Sequence, residues 1–487
     1  MRISSNGGLA GLIELGGGLA VKLLRPHLPG ERPLVSKAGD FVVGKIIRPP
    51  ALPHEPPLTL AEAERRKHLY LIGATGCGKT NLLLRLIDQE LASHRSICVI
   101  DLRGDLVDRI LHRLASTLEP ADLQGRLCLI DLRNEDYAIP LNPLTGSGDD
   151  YMRALQLMEV VERNAESWGV QLEETLRNSL IALAQSGWSL LEIEPLLTHQ
   201  AFRKQVMARV QDPYVRAFFQ RYDRLFKDKQ LVWALAVLNK VTALISVPAL
   251  RCLFGSRTGL DWQQLLNDQP EQIILIALAV DRFHEASHLV GGLCVASIQN
   301  AVMARANIPE AERLPTTLIV DEFETMASEA FESIIAEGRR FGLSLVLAHQ
   351  NLAQLDRKLR EVVRNNVHVQ LYFQTGALDA SDLATEIISA QTREQNRLAL
   401  ISQGVGQAYV VRRGLPSVQV ATALAADPDA PTDKVEALRL AALQGYGHPR
   451  QQIEAELRQR AAQIYNSSKT SSDPQVQIRH DKRPPNH

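Results

Sequence analysis

Three short stretches carry residue types that can do chemistry together. The first is Gly73, Ala74, Thr75, Gly76, Cys77, Gly78, Lys79 and Thr80, followed by Asn81. It fits the pattern G-x-x-x-x-G-K-[ST], a loop whose glycines let backbone N–H groups turn inward around phosphates. The start of a helix at its end adds partial positive charge, Lys79 meets the outer phosphate oxygens, and the Thr80 hydroxyl is a ligand for Mg²⁺. Cys77 inside the loop is either a redox-active thiol or a small residue that fits there.

A phosphate loop needs an acidic element that holds the metal and orients water. Thr317-Leu-Ile-Val-Asp321-Glu322 has the composition for it, four β-favouring residues and then two carboxylates. Asp321 is expected to bind Mg²⁺ through its water shell and Glu322 to polarise the attacking water. The bland alternative is an N-cap for a helix starting near Thr325. The third stretch, Leu343 to His349-Gln350, is another apolar run ending in polar residues. Gln350 there is a contact for the γ-phosphate and the lytic water, or else a satisfied turn residue. Arg339 and Arg340 precede it. They are either a finger reaching a neighbouring subunit's γ-phosphate or a solvated helix face.

These residues require buried parallel strands, because ligands gather at the C-terminal ends of such strands. His68–Gly73, Ser96–Asp101 and Leu127–Asp131 read that way, each ending in Gly or Asp. After Pro140-Leu-Asn-Pro143 the strand pattern stops. From Tyr151 to Leu266 apolar residues recur at three- and four-residue spacings, as in Leu172, Leu176, Leu180 and Leu183. Strands resume at Gln272–Ala279, Thr317–Asp321, Leu343–Ala348, Val367–Phe373 and Ala408–Arg412. The fold class expected is α/β, a nucleotide-binding core with a mostly parallel central sheet, interrupted by an all-helical insertion. The expected boundaries are a Gly- and Pro-rich lead-in at 1–60, core at 61–150 and 267–430, and the insertion at 151–266. A C-terminal helical segment follows at 431–466, then a disordered tail at 467–487.

Composition excludes several classes. The 487 residues hold 54 Lys plus Arg against 55 Asp plus Glu, so any nucleic-acid surface must be local. The longest apolar stretches are expected to be Ile273–Val280, ended by Asp281, and the run around Leu235–Leu250, broken by Asn239 and Lys240, and neither approaches the roughly 20 residues that cross a bilayer. Glu14 interrupts the apolar N-terminal stretch, arguing against a signal peptide. Five scattered cysteines without C-x-x-C spacing fit a reducing cytosol better than a disulfide framework or zinc site.

The motif order is the phosphate loop, Ile100-Asp-Leu-Arg-Gly-Asp105, Asp131, Leu141-Asn-Pro-Leu144, a helical insertion, Asp321-Glu322-Phe323, then Glu337-Gly-Arg-Arg through His349-Gln350. This order resembles the HerA–FtsK superfamily of DNA-pumping ATPases, nearest its branch of type IV secretion conjugative coupling proteins and HerA-like relatives. The resemblance implies a RecA-like core and a homo-hexameric ring that hydrolyses ATP with Mg²⁺ and moves DNA through its lumen. Carried over residue by residue, it makes Lys79 and Thr80 the nucleotide and Mg²⁺ contacts, Asp321 and Glu322 the metal and water residues and Gln350 the γ-phosphate sensor. Arg339 or Arg340 becomes the trans-acting arginine. A relaxosome, secretion-channel or nuclease partner is implied, and no intrinsic membrane span is expected. The expected location is the cytoplasm, with recruitment to the inner face of the membrane by a partner. Asp101-Leu-Arg103-Gly departs from the Asp-Pro-His-Gly of relatives, so Arg103 inherits no role.

Two basic clusters are candidate DNA contacts. Arg216, Arg221, Arg224, Lys227 and Lys229 interleave with Phe218, Phe219, Tyr222 and Phe226, a pattern that grips a backbone or is simply an amphipathic helix. Arg357, Lys358, Arg360 and Arg364 line a channel or mark a solvated face. The expected function is a DNA translocase or coupling ATPase. The competing expectation is an ATP-dependent recruitment module for a relaxosome or nuclease partner that does not itself translocate.

Overall fold

Buried runs of Ile, Leu, Val and Cys dictate the sheet. A computed structural model describes residues 40–47, 57–93, 95–163, 165, 167–268, 271–326 and 329–469. Its strands are β1 (Phe41–Ile46), β2 (Leu58–Leu60), β3 (Leu69–Ile72), β4 (Ser96–Asp101), β5 (Leu127–Asp131), β6 (Tyr137–Ala138), β7 (Ile273–Ala277), β8 (Thr316–Asp321), β9 (Leu343–His349), β10 (Val369–Tyr372), β11 (Gln407–Arg412), β12 (Val418–Thr422) and β13 (His448–Pro449). Eleven of them form one sheet in the order β2-β1-β12-β11-β10-β3-β9-β8-β4-β7-β5. From β10 to β5 every pairing is parallel, and from β2 to β10 every pairing is antiparallel. In the parallel half the strands are apolar along nearly their whole length, because both faces are covered by helices.

One face packs on the helices Lys79–Ala92 and Asp105–Thr117, with Leu83, Ile87 and Ile110 in its core. The other packs on Glu285–Met303 and on the helices between β6 and β7. Within 151–266 the described residues contain helices and no strand. Leu176, Leu180 and Phe218 of this stretch share one continuous apolar cluster with Ile276, Val320 and Leu345 of the sheet. The insertion is therefore fused to the core and not hinged on an exposed stalk.

Two boundaries read from sequence need correction, and one apolar stretch must be added. The lead-in contributes β1 and β2 to the main sheet, where β1 pairs with β12 across a linear gap that no local pattern could bridge. The rest of 1–39 and 48–56 lies outside the described residues. The C-terminal segment is two helices, Thr432–Tyr446 on β5 and Arg450–Lys469 on the insertion, so helix extends past 466; 470–487 lie outside the described residues. Finally, the longest apolar stretch was overlooked. Glu285–Asn307 is long and apolar enough by length and composition to cross a membrane, yet 67% of its apolar window is buried against the rest of the protein. It is the helix under the sheet, apolar around most of its circumference because most of that circumference is covered.

Candidate nucleotide site

Sheet order brings the three chemical stretches together. β3, β9 and β8 are adjacent and parallel, so the loop after β3, Gln350 after β9 and Asp321-Glu322 at the end of β8 emerge at one edge. The register Ile72↔His349 and Asp321↔Ala348 sets them level.

The loop from Gly73 to Gly78 wraps the start of the helix Lys79–Ala92. Gly76 and Gly78 sit at φ 77° and 110°, where a Cβ is disfavoured. At Gly73 a Cβ would stand 2.5 Å from Phe373 and 2.8 Å from Cys77, so only glycine fits. The helix cap, Gly78, offers no side-chain acceptor, which leaves the first-turn N–H groups facing outward for an anion. Lys79 is buried, its Nζ donating to the carbonyls of Gly73 (2.5 Å) and Ala74 (3.1 Å). Ala74, Thr75 and Gly76 are exposed, and Thr80 is half-buried. Cys77 is buried and burial pushes its thiol above the ordinary value, so it packs as a small apolar residue and is a poor nucleophile. Asn81 is diverted: its amide donates to Ala423 O (2.8 Å) and its oxygen accepts from Ala425 N (2.6 Å). The Asn81 side chain, expected among the nucleotide contacts because it adjoins the loop, thus fastens the segment after β12.

A hydrogen-bond relay runs across the site. Thr75 Oγ1 donates to Gln350 Oε1 at 3.1 Å, and Gln350 Nε2 donates to Glu322 Oε1 at 2.9 Å. Glu322 has φ 54°, a left-handed conformation costing about 1–3 kcal/mol in a non-glycine residue. Thr325, the residue nominated as the start of a capped helix, instead donates its N–H and hydroxyl to the Glu322 carbonyl, at 3.3 and 2.9 Å, and holds that conformation.

Electrostatics single out the acids. Burial, aided by the Asp101 and Glu322 charges, pushes the Asp321 carboxyl up to about 6, with Lys79 pulling the other way. Glu324, which sequence reading passed over, is pushed up to about 7 by burial and by Glu322 and Asp321. Its signal was visible as the third acid in Asp321-Glu-Phe-Glu324. Asp101 accepts from the backbone of Arg103 (3.0 Å), Leu106 (2.8 Å) and Val107 (3.1 Å), and caps the helix Asp105–Thr117. His349 is buried against the Tyr70 hydroxyl and pushed down to about 3 by burial, so it is a neutral packing residue. Among the described residues no cluster of three His, Cys, Asp or Glu forms a metal cage. A hard cation that completes its shell with phosphate oxygens and water suits the pair Thr80 and Asp321.

The arginines lie elsewhere. The short turn Gly338–Phe341 precedes β9, placing Arg339 and Arg340 at the opposite end of the sheet from the phosphate loop. Both side chains are exposed and neither forms a hydrogen bond or ion pair with a described residue. They do not serve the loop of their own chain.

The basic clusters are mostly engaged internally. Arg357 pairs with Glu361 (3.0 Å), Lys358 with Glu332 (2.6 Å), and Arg364 with Asp382 (2.9 Å) and Glu386 (2.7 Å). Arg360 donates to Leu352 O at 2.6 Å. In the insertion Phe218, Phe219 and Tyr222 are core residues, as an amphipathic helix requires, and Arg221 pairs with Glu174 at 2.6 Å. Phe226 alone of those aromatics is exposed, at 83%.

Comparison with known proteins agrees with this arrangement. Residues 55–138 match a family model described as a type IV secretion-system coupling protein DNA-binding domain. Residues 315–412 match one described as the TraM recognition site of TraD and TraG. The plasmid coupling protein TrwB, solved with the non-hydrolysable GTP analogue GDPNP, superposes with a TM-score of 0.58 at 14% identity, over 82% of this chain and 92% of that one. TrwB with ADP and Mg²⁺ gives 0.57 at 16% identity, over the same 82% and 92%. VirB4 of Thermoanaerobacter pseudethanolicus gives 0.52 at 13% identity, over 80% and 98%. No curated protein sequence matches. The expected likeness to coupling proteins and the RecA-like α/β fold are thus borne out.

Proposed function

We propose that this chain, a type IV coupling-protein-like P-loop ATPase by fold, hydrolyses ATP with Mg²⁺ to move DNA through a ring of its own copies during conjugative transfer. One observation carries the reading: Thr75, Gln350 and Glu322 form a continuous relay beside Lys79 and Asp321, on three adjacent strand ends. Such a relay links occupation of the phosphate loop to the position of the base.

In this reading Lys79 leaves the carbonyls of Gly73 and Ala74 for the phosphate oxygens, and the first-turn N–H groups of its helix hold the chain of phosphates. Thr80 and Asp321 hold Mg²⁺, which when bound neutralises phosphate charge. Glu322 accepts a proton from the attacking water while Gln350 orients that water. Arg339 or Arg340, whose side chains have no hydrogen-bond or ion-pair partner among the described residues, reaches the γ-phosphate of the neighbouring subunit. The solved relative bound to ADP and Mg²⁺ supports the nucleotide and metal. The descriptions of the two matched segments support DNA and a relaxosome protein as partners. Work in the cytoplasm, with recruitment to the inner face of a membrane by such a partner, is part of the proposal.

A second reading, an ATP-gated recruitment module without translocation, draws on the internal pairing of the basic helix Arg357–Asn366. The ATPase rate with and without single- and double-stranded DNA tests both. The motor reading expects DNA stimulation that is lost in Lys79→Ala and in Arg339→Ala/Arg340→Ala. Hydrolysis indifferent to DNA sinks it in favour of recruitment.

A further inference from the structure

Two exposed apolar side chains beside the phosphate loop have no role in the relay. Val405 is 76% exposed and Leu424 is 85% exposed. Each sits on a segment bound directly to the loop. Gly406 N donates to Cys77 O at 2.9 Å, and a Cβ at Gly78 would lie only 3.1 Å from Gly406, so the turn before β11 is pressed onto the loop. Asn81, in the first turn of the loop helix, bonds on both sides of Leu424, to Ala423 O and Ala425 N. The register Gln407↔Ala421, extended by the bond from Thr422 N to Gly406 O (2.8 Å), brings both segments off the same end of the β11–β12 pair.

Sheet order fixes which part of a nucleotide meets them. Asp321, Glu322 and Gln350 mark the γ-phosphate end, and they lie on the β9–β8 side of β3. The nucleoside end therefore leaves the loop on the other side, toward β10, β11 and β12. We propose that Val405 and Leu424 form an apolar clamp for the base of the bound nucleoside triphosphate, held in register with the phosphates by Gly406 and Asn81. The inference rests on the nucleotide-binding reading and adds to it a base site built from the antiparallel half of the sheet. It also gives the fixed apolar exposure a purpose, since a flat heteroaromatic base gains from an apolar face on one or both sides.

Calorimetry on the full chain with Mg²⁺ separates base from phosphate. The probes are the non-hydrolysable analogue AMP-PNP and inorganic tripolyphosphate. Leu424→Ser with Val405→Ser is expected to weaken AMP-PNP by about tenfold, from loss of apolar contact area, with tripolyphosphate changed by less than about twofold. Leu424→Met is expected to retain AMP-PNP affinity. Both residues are exposed, so the melting temperature should stay at the wild-type value. Equal weakening of both probes, or no weakening of AMP-PNP, overturns the clamp while leaving nucleotide binding intact. Wild-type protein that binds tripolyphosphate and AMP-PNP equally overturns the clamp as well. Failure to bind either probe overturns the nucleotide reading on which it rests.

Discussion

Asp131 and Asp321 both end parallel strands of one sheet, β5 and β8, and their surroundings are opposite. Asp131 accepts from Arg133 Nε (2.9 Å) and from Arg439 (2.8 Å), and the same two arginines bind Asp108 at 2.7–2.8 Å. Burial raises the Asp108 carboxyl, but the hydrogen bonds from Arg133 and Arg439 outweigh it and hold the group below the ordinary value. Asp321 receives one backbone N–H, from Glu322 at 3.1 Å, and faces Asp101 and Glu322, so it is pushed up to about 6. A strand-end carboxylate matched by arginines within the chain holds structure together. One left short of positive charge is waiting for a cation from outside.

Substitution of Glu322, beside the uncompensated aspartate, should give the largest effect. Glu322→Gln removes the proposed proton acceptor and keeps a side chain of the same size, so the steady-state ATPase rate is expected to fall by about 10²–10⁴-fold, the usual contribution of general-base catalysis. AMP-PNP affinity and melting temperature should stay near wild type. A rate within about fivefold of wild type would remove Glu322 from the chemistry.

The compensated cluster should respond in the reverse sense. Arg439→Ala leaves the 2%-exposed Asp131 carboxylate with Arg133 alone and unpins the helix Thr432–Tyr446 from β5. Because Arg439 is itself 19% exposed and Arg133 still pairs with Asp131, the cost is expected below the roughly 3–5 kcal/mol of a fully buried broken pair, at about 1–3 kcal/mol by urea unfolding. The turnover number per folded molecule should be unchanged.

Asp321→Asn sharpens the contrast by giving stability while taking away metal binding. In the fold the Asp321 pKa is about 6, above the ordinary 3.8, so the neutral form is the one the fold favours. The sign follows: ionisation begins to cost stability as pH rises above 3.8, and the cost is complete above about 6. Without Mg²⁺, Asn should therefore stabilise the protein by about 1–3 kcal/mol at pH 7.5 and by little at pH 4. Equal stability at both pH values would mean that the carboxylate is already compensated. With Mg²⁺ and nucleotide the ligand-induced rise in melting temperature should shrink.

Sequence made the candidate nucleotide side legible because its signals are local. The loop, Asp321-Glu322 and Gln350 each sit at the end of an apolar run, and strand ends are where apolar composition gives way. The compensated side was hidden, since Arg439 lies far along the chain from Asp131 and nothing in its own helix marks its partner. The same reason hid the sheet partners of β1: Phe41–Ile47 reads as a short strand-like piece in a lead-in, but its pairing with β12, and β2 beside it, appear only in the fold. Asn81 was grouped with the loop by adjacency, and only the fold reveals that it holds residues 423–425. The apolar helix Glu285–Met303 was passed over because Gly291, Gly292 and polar Ser and Asn residues break its hydropathy. It is buried in spite of them: any Cβ at Gly291 would press on Met326 at 2.6 Å.

The smallest predicted effect concerns Thr75, and it decides how the two halves of the site communicate. Its hydroxyl is the only group in the relay that belongs to the phosphate loop, and it reaches Gln350 at 3.1 Å. Thr75→Val keeps the shape and deletes that donor. Gln350 is then free to turn its amide, and Glu322 loses a fixed partner without losing its own chemistry. A neutral hydrogen bond is worth about 0.5–1.5 kcal/mol, so the rate should fall by about two- to tenfold. The loss belongs in kcat, because the loop backbone and Lys79, the proposed phosphate contacts, are untouched, and KM for ATP should hold within about twofold. Thr75→Ser, which restores the donor, should recover most of it. A rise in KM with kcat unchanged would place Thr75 on the substrate alone. In that case the uncompensated acids sense the nucleotide through Mg²⁺ and phosphate contacts, with no signal passing through Gln350.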